Sequence, residues 1–216
     1  MKKSFIISII ITIIAVIVAI GFLMNVEGEI PIHWDMYGEV DGYGTPLTMF
    51  IFPGVSLFMV FLLYFIPKID PKGENIKTSG LFLPVITVLL SILMLGLEIF
   101  IIMAVNGSSV FNVNMFMSIF LAVLFCVMGY YIPKIKPNYT VGIRTPWTLY
   151  SEDVWVKTHN ISGKWFIAAG LSFLISVFFK EPYNIVIPFI FTMVVAIGVI
   201  IYSYILFAEE KKEKGV

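Results

Sequence analysis

Six long apolar runs dominate this chain, at residues 4–24, 47–66, 81–105, 110–132, 165–179 and 184–207. A helix needs about twenty such residues to cross a hydrocarbon layer of roughly 30 Å. Lipid offers no water to satisfy backbone groups, so a spanning segment is either helix or closed barrel. Runs this continuous are helices. The fifth is the shortest, and it spans if Trp165 and Lys180 sit at the two interfaces with the lysine snorkelling outward. Hydrophobic residues make up 59% of the chain and charged ones 13%, against about 25% charged in soluble domains. A globule of this size has no interior large enough for that apolar surface. The first run follows Met1-Lys2-Lys3, as a signal peptide would. Its apolar core is about 20 residues, longer than the roughly 7–15 of a signal sequence, and no small-residue cleavage site follows. It is expected to stay as a helix.

Lysine and arginine set the threading, because they collect on the cytoplasmic side. With the N-terminus inside, the inner side holds Lys2, Lys3, Lys68, Lys72, Lys77, Lys134, Lys136, Arg144, Lys157, Lys164, Lys211, Lys212 and Lys214, and the outer side only Lys180. Both termini are therefore expected in the cytoplasm of a cell-membrane protein. The first outer loop has the opposite character, with Glu27, Glu29, Asp35, Glu39 and Asp41 and no base. The chain divides into a first helical hairpin (1–66), an inner loop (67–80), a second hairpin (81–132), a long inner loop (133–164), and a third hairpin with a charged tail (165–216). Net charge is zero, which gives no basic face for direct nucleic-acid binding. Tyr64-Phe-Ile-Pro-Lys-Ile-Asp-Pro71 is echoed by Tyr131-Ile-Pro-Lys-Ile-Lys-Pro137. The echo reads either as a duplicated hairpin or as a recurrent way to end a span, with an aromatic belt, a helix stop and a lysine.

Polar chemistry is concentrated in two loops. The inner one, residues 139–165, holds Trp147, Trp155, Trp165, His159 and the sole arginine, Arg144. Gly142 permits a tight turn. Thr145-Pro146 reads as an N-cap with proline at the first helical position, and Ser151-Glu152-Asp153 as a second helix start. Val154, Trp155, Thr158, Ile161 and Trp165 then share one helical face, opposite Asp153, Lys157, Asn160 and Lys164. That pattern predicts an amphipathic interfacial helix on the inner membrane surface. It serves either as an anchor or, through the planar guanidinium of Arg144, as a recognition surface. The outer loop holds His33, Trp34, Asp35 and Asp41, and its Asp41-Gly42 step signals a turn in a compact folded loop. Its acids read as a hydrogen-bonded turn in preference to a cation site. His33 and His159 fall on opposite sides of the membrane, so they share no metal or catalytic centre. No catalytic set, metal site or cofactor is expected. Glu98 is the one clear ionisable residue inside a span, which marks it either as functional or as part of an interhelical hydrogen bond with Asn112, Asn114 or Ser118.

Two stretches carry a resemblance. Pro31-x-His33-Trp34…Gly38…Asp41-Gly42, with Gly142-Ile-Arg-Thr-Pro-Trp-Thr148…Trp155…Thr158-His159…Gly163, is similar to the SdpI family of bacterial membrane immunity proteins. The resemblance implies a multi-pass protein that protects a producer cell from a secreted peptide toxin. It also implies a cytoplasmic DNA-binding repressor as a candidate partner, captured at the membrane. The expected ligand-binding residues on the outer side are His33, Trp34, Asp35 and Asp41 with Glu98 beneath. On the inner side the expected set is Gly142, Arg144, Thr145, Pro146, Trp147, Trp155, Lys157 and His159. The alternative reading is a small transporter or channel using Glu98. A membrane enzyme fits least, because no nucleophile–base pair falls on one side.

Overall fold

A computed structural model of the protein describes residues 2–107 and 112–215. Helix α1 (Lys2–Leu23) leads into a hairpin of β1 (Ile30–Trp34) and β2 (Val40–Gly44). A 3-10 turn (Pro46–Phe50) runs directly into α2 (Ile51–Ile69), followed by short α3 (Gly73–Lys77) and by α4 (Phe82–Val105). Helix α5 (Val113–Tyr131) returns through a 3-10 turn (Ile132–Lys134), and α6 (Pro146–Tyr150), α7 (Glu152–Ser176) and α8 (Tyr183–Glu213) complete the chain. Val110 and Phe111, the expected start of the fourth span, lie outside the described residues. Among the described residues, five helices are long and apolar enough to cross a bilayer by length and composition. The molecule is a largely helical, multi-pass membrane protein.

The surface has the pattern expected in lipid. On α1, Ser8, Thr12, Ala15 and Ala19 form the buried stripe, while Ile6, Ile10, Ile13 and Ile17 face outward. Lipid tails are as apolar as isoleucine, so helices associate through small residues that permit close packing and through polar groups that bond across the interface. The Thr12 and Ser56 hydroxyls do the latter, at 2.7 Å between α1 and α2.

Packing joins α1, α2 and α4 into one group of three and α5, α7 and α8 into another, with α4 and α5 forming the seam. The sequence hairpins are thus shared between groups: the second of them contributes one helix to each. Within the second group the α5–α7 approach is the closest. A Cβ on Gly163 would sit 2.5 Å from a Pro133 ring carbon and 2.7 Å from the Gly129 carbonyl, and one on Gly170 would sit 2.6 Å from the Cys126 sulfur.

Two sequence expectations change. The interfacial helix and the fifth apolar run are one unbroken helix, α7. Nothing stops it at Gly163, because that glycine is held against α5. Its apolar face, with Val154, Trp155, Thr158 and His159, is buried in protein and not in headgroups. The turn of the first loop is not at Asp41-Gly42 either, since both lie in β2, with Gly42 opposite His33. Asp35 makes the turn: its Oδ1 accepts from the backbone N–H of Tyr37 (2.8 Å) and of Glu39 (3.0 Å), and Gly38 adopts φ +78°.

Candidate functional site: a docked hairpin and a buried inner platform

The two polar loops lie at opposite ends of the helices. At the hairpin end, Ile30 is fully buried with Ala19, Met49 and Ile101, which seats the hairpin on α1 and α4. Trp34 meets Phe100 edge-on at 5.2 Å, and Phe100 stacks on Phe116 of α5 at 5.6 Å. The hairpin tip is fastened across the seam: Asn114 Nδ2 donates to the Met36 carbonyl at 2.9 Å, and Gly38 lies against Glu181 and Asn114. Asn112 caps α5 through the Met115 N–H and donates to Glu181. His33 and Asp41 pair at 2.5 Å in an exposed position. Asp35 is committed to the turn, though its charge still contributes to the acidic field of the loop.

Glu98 stands apart from this set. It is fully buried in α4, and neither carboxylate oxygen has a hydrogen-bond partner among the described residues. The three residues expected to pair with it are engaged elsewhere: Asn112 and Asn114 as above, and Ser118 with the Asn184 carbonyl at 3.5 Å. They bond along the α5 side of the seam because the hairpin tip and the start of α8 offer partners there.

At the other end the inner motif is a folded platform. Thr145 and Thr148 form a reciprocal capping box at the start of α6, with Pro146 at the first position as the sequence signals. The Thr145 hydroxyl also meets that of Ser203 on α8 at 3.1 Å, and Trp147 packs on Tyr204 at 5.1 Å. Trp155 Nε1 donates to the Ile135 carbonyl at 2.8 Å, and its ring stacks on His159 at 4.1 Å. His159 Nδ1 lies 2.8 Å from the Trp155 carbonyl, and its Nε2 accepts from the Ile143 N–H at 3.1 Å. One partner only accepts and the other only donates, so the ring must be neutral with its proton on Nδ1. Burial agrees, holding the imidazole down at about 4. Gly142, at φ +103°, passes so close that a Cβ would sit 2.6 Å from His159 Nε2.

Thr145, Trp155 and His159 are therefore the buried frame of the platform, with exposed Gly142 passing against the imidazole. Arg144 and Lys157 are not part of it. Arg144 is exposed and donates to the Tyr139 carbonyl at 2.9 Å, while Lys157 pairs with Asp153 at 2.7 Å on the outward face of α7.

Sequence reasoning misses the residues that tie the two helix groups together here. Asp70, 7% exposed, accepts from the Lys72 N–H, the Tyr139 N–H (3.0 Å) and the Thr140 hydroxyl (2.7 Å). Asn75 donates to the Pro137 carbonyl at 2.7 Å, and Ser79 accepts from the Lys136 N–H at 2.9 Å. Asn138 closes its own turn through the N–H groups of Thr140 and Val141. The available signal is position: Asp70 and Asn138 sit at the ends of the two echoed Ile-Pro-Lys-Ile segments. Those segments also repeat a contact, with Lys68 over the Tyr64 ring at 3.9 Å and Lys134 over the Tyr130 ring at 3.3 Å.

Comparison with known proteins extends this picture along the chain. Residues 134–204, which contain the platform and the helices beneath it, match the SdpI/YfhL protein family. Residues 8–57, from α1 through the hairpin into α2, match a domain of unknown function (DUF1648). The chain is 28% identical over 204 residues to "Immunity protein SdpI" of Bacillus subtilis (strain 168), covering 94% of this chain and 95% of the relative. No solved structure matches. The platform motif thus falls in the segment that matches the SdpI/YfhL family, the hairpin that faces away from it in the segment that matches the domain of unknown function, and the chain resembles this immunity protein from end to end.

Proposed function

We propose that this protein is a membrane immunity protein, engaging a secreted peptide toxin from outside and reporting through its inner platform to a cytoplasmic repressor. The observation that carries the proposal is the likeness to an immunity protein over nearly the whole length of both chains. The charge count supports six spans with the platform and both termini in the cytoplasm. The outward loop then offers His33, Trp34, Asp35 and Asp41 on a docked hairpin. Its acidic field attracts a cationic peptide before any close contact forms. The inward platform offers Arg144, an exposed guanidinium beside a rigid buried frame.

The test is expression in a toxin-sensitive host with survival as the readout. Wild-type protein should protect, and the Asp35→Asn/Asp41→Asn pair should protect less, most visibly at low salt where exposed charges are least screened. Asparagine at position 35 keeps the acceptor oxygen that the turn uses, so the comparison isolates charge. Arg144→Lys should leave membrane abundance and survival unchanged while reducing repressor recruitment, because it keeps the charge and loses the planar fork. No protection by abundant wild-type protein would overturn the reading. A second reading, transport, rests on the buried carboxylate of Glu98, which has no hydrogen-bond partner among the described residues. It gains if Glu98→Gln abolishes activity while the hairpin variant behaves normally.

A further inference from the structure

A cavity of about 600 Å³ lies at the platform end between α1 and α4. Its mouth carries Lys2 and Lys3, and its floor is Leu81, the cap of α4, and the helix from there to Ile92. A second cavity, about 360 Å³, lies between α4 and α5 and shares Leu89 and Ile92 with the first. The two adjoin at Leu89 and Ile92, and together they form a furrow reaching from a pair of lysines toward the seam between the helix groups. Among the described residues, no carboxylate lines either part. The stretch of α4 along its floor rises roughly 16 Å at 1.5 Å per residue, about half the thickness of a bilayer core.

We propose that this furrow holds one anionic glycerophospholipid, its headgroup against Lys2 and Lys3 and an acyl chain along α4 into the seam. A furrow with two cations at one end and apolar side chains beyond matches an amphiphile with a negative head. Its depth matches one leaflet. A second copy of the chain fits less well: a two-fold contact places the same patch against itself, which would bring the four lysines together. The proposal rests on the membrane placement above and not on the immunity reading, so either can fail alone. It also gives the seam a filling. The groups are tied by hydrogen bonds at the two ends, and a lipid between Leu89, Ile92 and Phe120 would hold them together at mid-depth.

The test is native mass spectrometry of the full-length protein, delipidated in detergent and titrated with dioleoylphosphatidylglycerol or dioleoylphosphatidylcholine. Two lysines at the headgroup should give a preference of roughly 30-fold for the anionic lipid, at one lipid per protein. Lys2→Gln/Lys3→Gln should bring the two lipids to within about twofold of each other. Val88→Trp, which fills the furrow and leaves both lysines, should lower retention of the anionic lipid, and Val88→Phe should do so by a smaller step if the tryptophan variant does not fold. Ile201→Trp, on an exposed face of α8, should change nothing. Equal retention of both lipids by wild-type protein would overturn the proposal. So would unchanged retention in the folded Val88 variants, or a dimer that Val88→Trp dissociates without altering lipid binding.

Discussion

At the scale of single residues, Gly142 and His159 decide whether the inner platform can form. A side chain at position 142 meets two penalties, a left-handed φ and a collision with the imidazole. Gly142→Ala should therefore destabilise the protein by roughly 1–3 kcal/mol, read as a lower midpoint of thermal unfolding in detergent. His159 makes stability depend on pH. Its folded value of about 4 lies below the ordinary 6.5, so the unfolded chain binds the extra proton first. Stability is full above about pH 6.5 and is lost as pH falls toward 4. The loss between pH 7 and pH 5 should be about 2 kcal/mol, since each tenfold difference in proton affinity between the two states corresponds to about 1.4 kcal/mol. His159→Gln should start from a lower stability and show a flatter profile over that window. A profile as steep as wild type would assign the dependence to another group. The capping signals around Thr145 and Ser151 are legible in the sequence because they act within four residues. The contact between His159 and the chain at Gly142 is not, because it depends on how α7 is placed against a loop sixteen residues earlier. Asp70 is less legible still: its partners across the seam, Tyr139 and Thr140, lie about seventy residues away, and nothing in its neighbours along the chain announces them.

At the scale of elements, the membrane inverts the usual reading of a helix. Apolar periodicity says little when both faces are apolar; what locates the packed face is the spacing of small residues. On α1 these are Ser8, Thr12, Ala15 and Ala19, and on α7 they are Ser162, Gly163, Ala169 and Gly170. Charge and tryptophan placement divide α7 into an interfacial helix and a span. Its small residues run through both halves and keep the helix whole. This predicts an asymmetry between glycines. Gly163→Leu forces α7 away from Pro133 and the Gly129 carbonyl and should cost at least the 1–3 kcal/mol, roughly, of an overpacked core. A Cβ at Gly54 has nothing within 4 Å, so Gly54→Ala should be neutral or stabilising by up to about 1 kcal/mol through helix propensity. Paired unfolding midpoints in one detergent check both. Equal losses would mean that the α5–α7 approach is looser than the carbonyl and ring distances indicate.

At the scale of the whole molecule, both ends of the bundle are built by chain segments that cross the seam, and the charges decide which end faces which compartment. The hairpin reaches from α1 and α2 to Asn114 and Glu181. The loop after α2 reaches Tyr139 and Thr140. Neither end can be drawn through the bilayer without breaking those bonds, so the molecule inserts one way or the other as a unit. Thirteen basic residues in the platform-end segments against Lys180 alone favour the platform end inside. The acids of the first loop contribute little to that choice, which is set by lysine and arginine. Side-specific reporters fused after Gly44 and after Lys72 should read outside and inside respectively. Because α7 carries Glu152, Asp153, Lys157 and Lys164 in its first half, its crossing needs a third fusion, after Lys180, which should read outside. An inside reading there would leave α7 at the inner surface and put α8 in the opposite sense, with the C-terminus outside. The proposed role of the outer loop as a toxin-facing surface depends on the first reporter, and the proposed role of the platform as a signalling surface on the second.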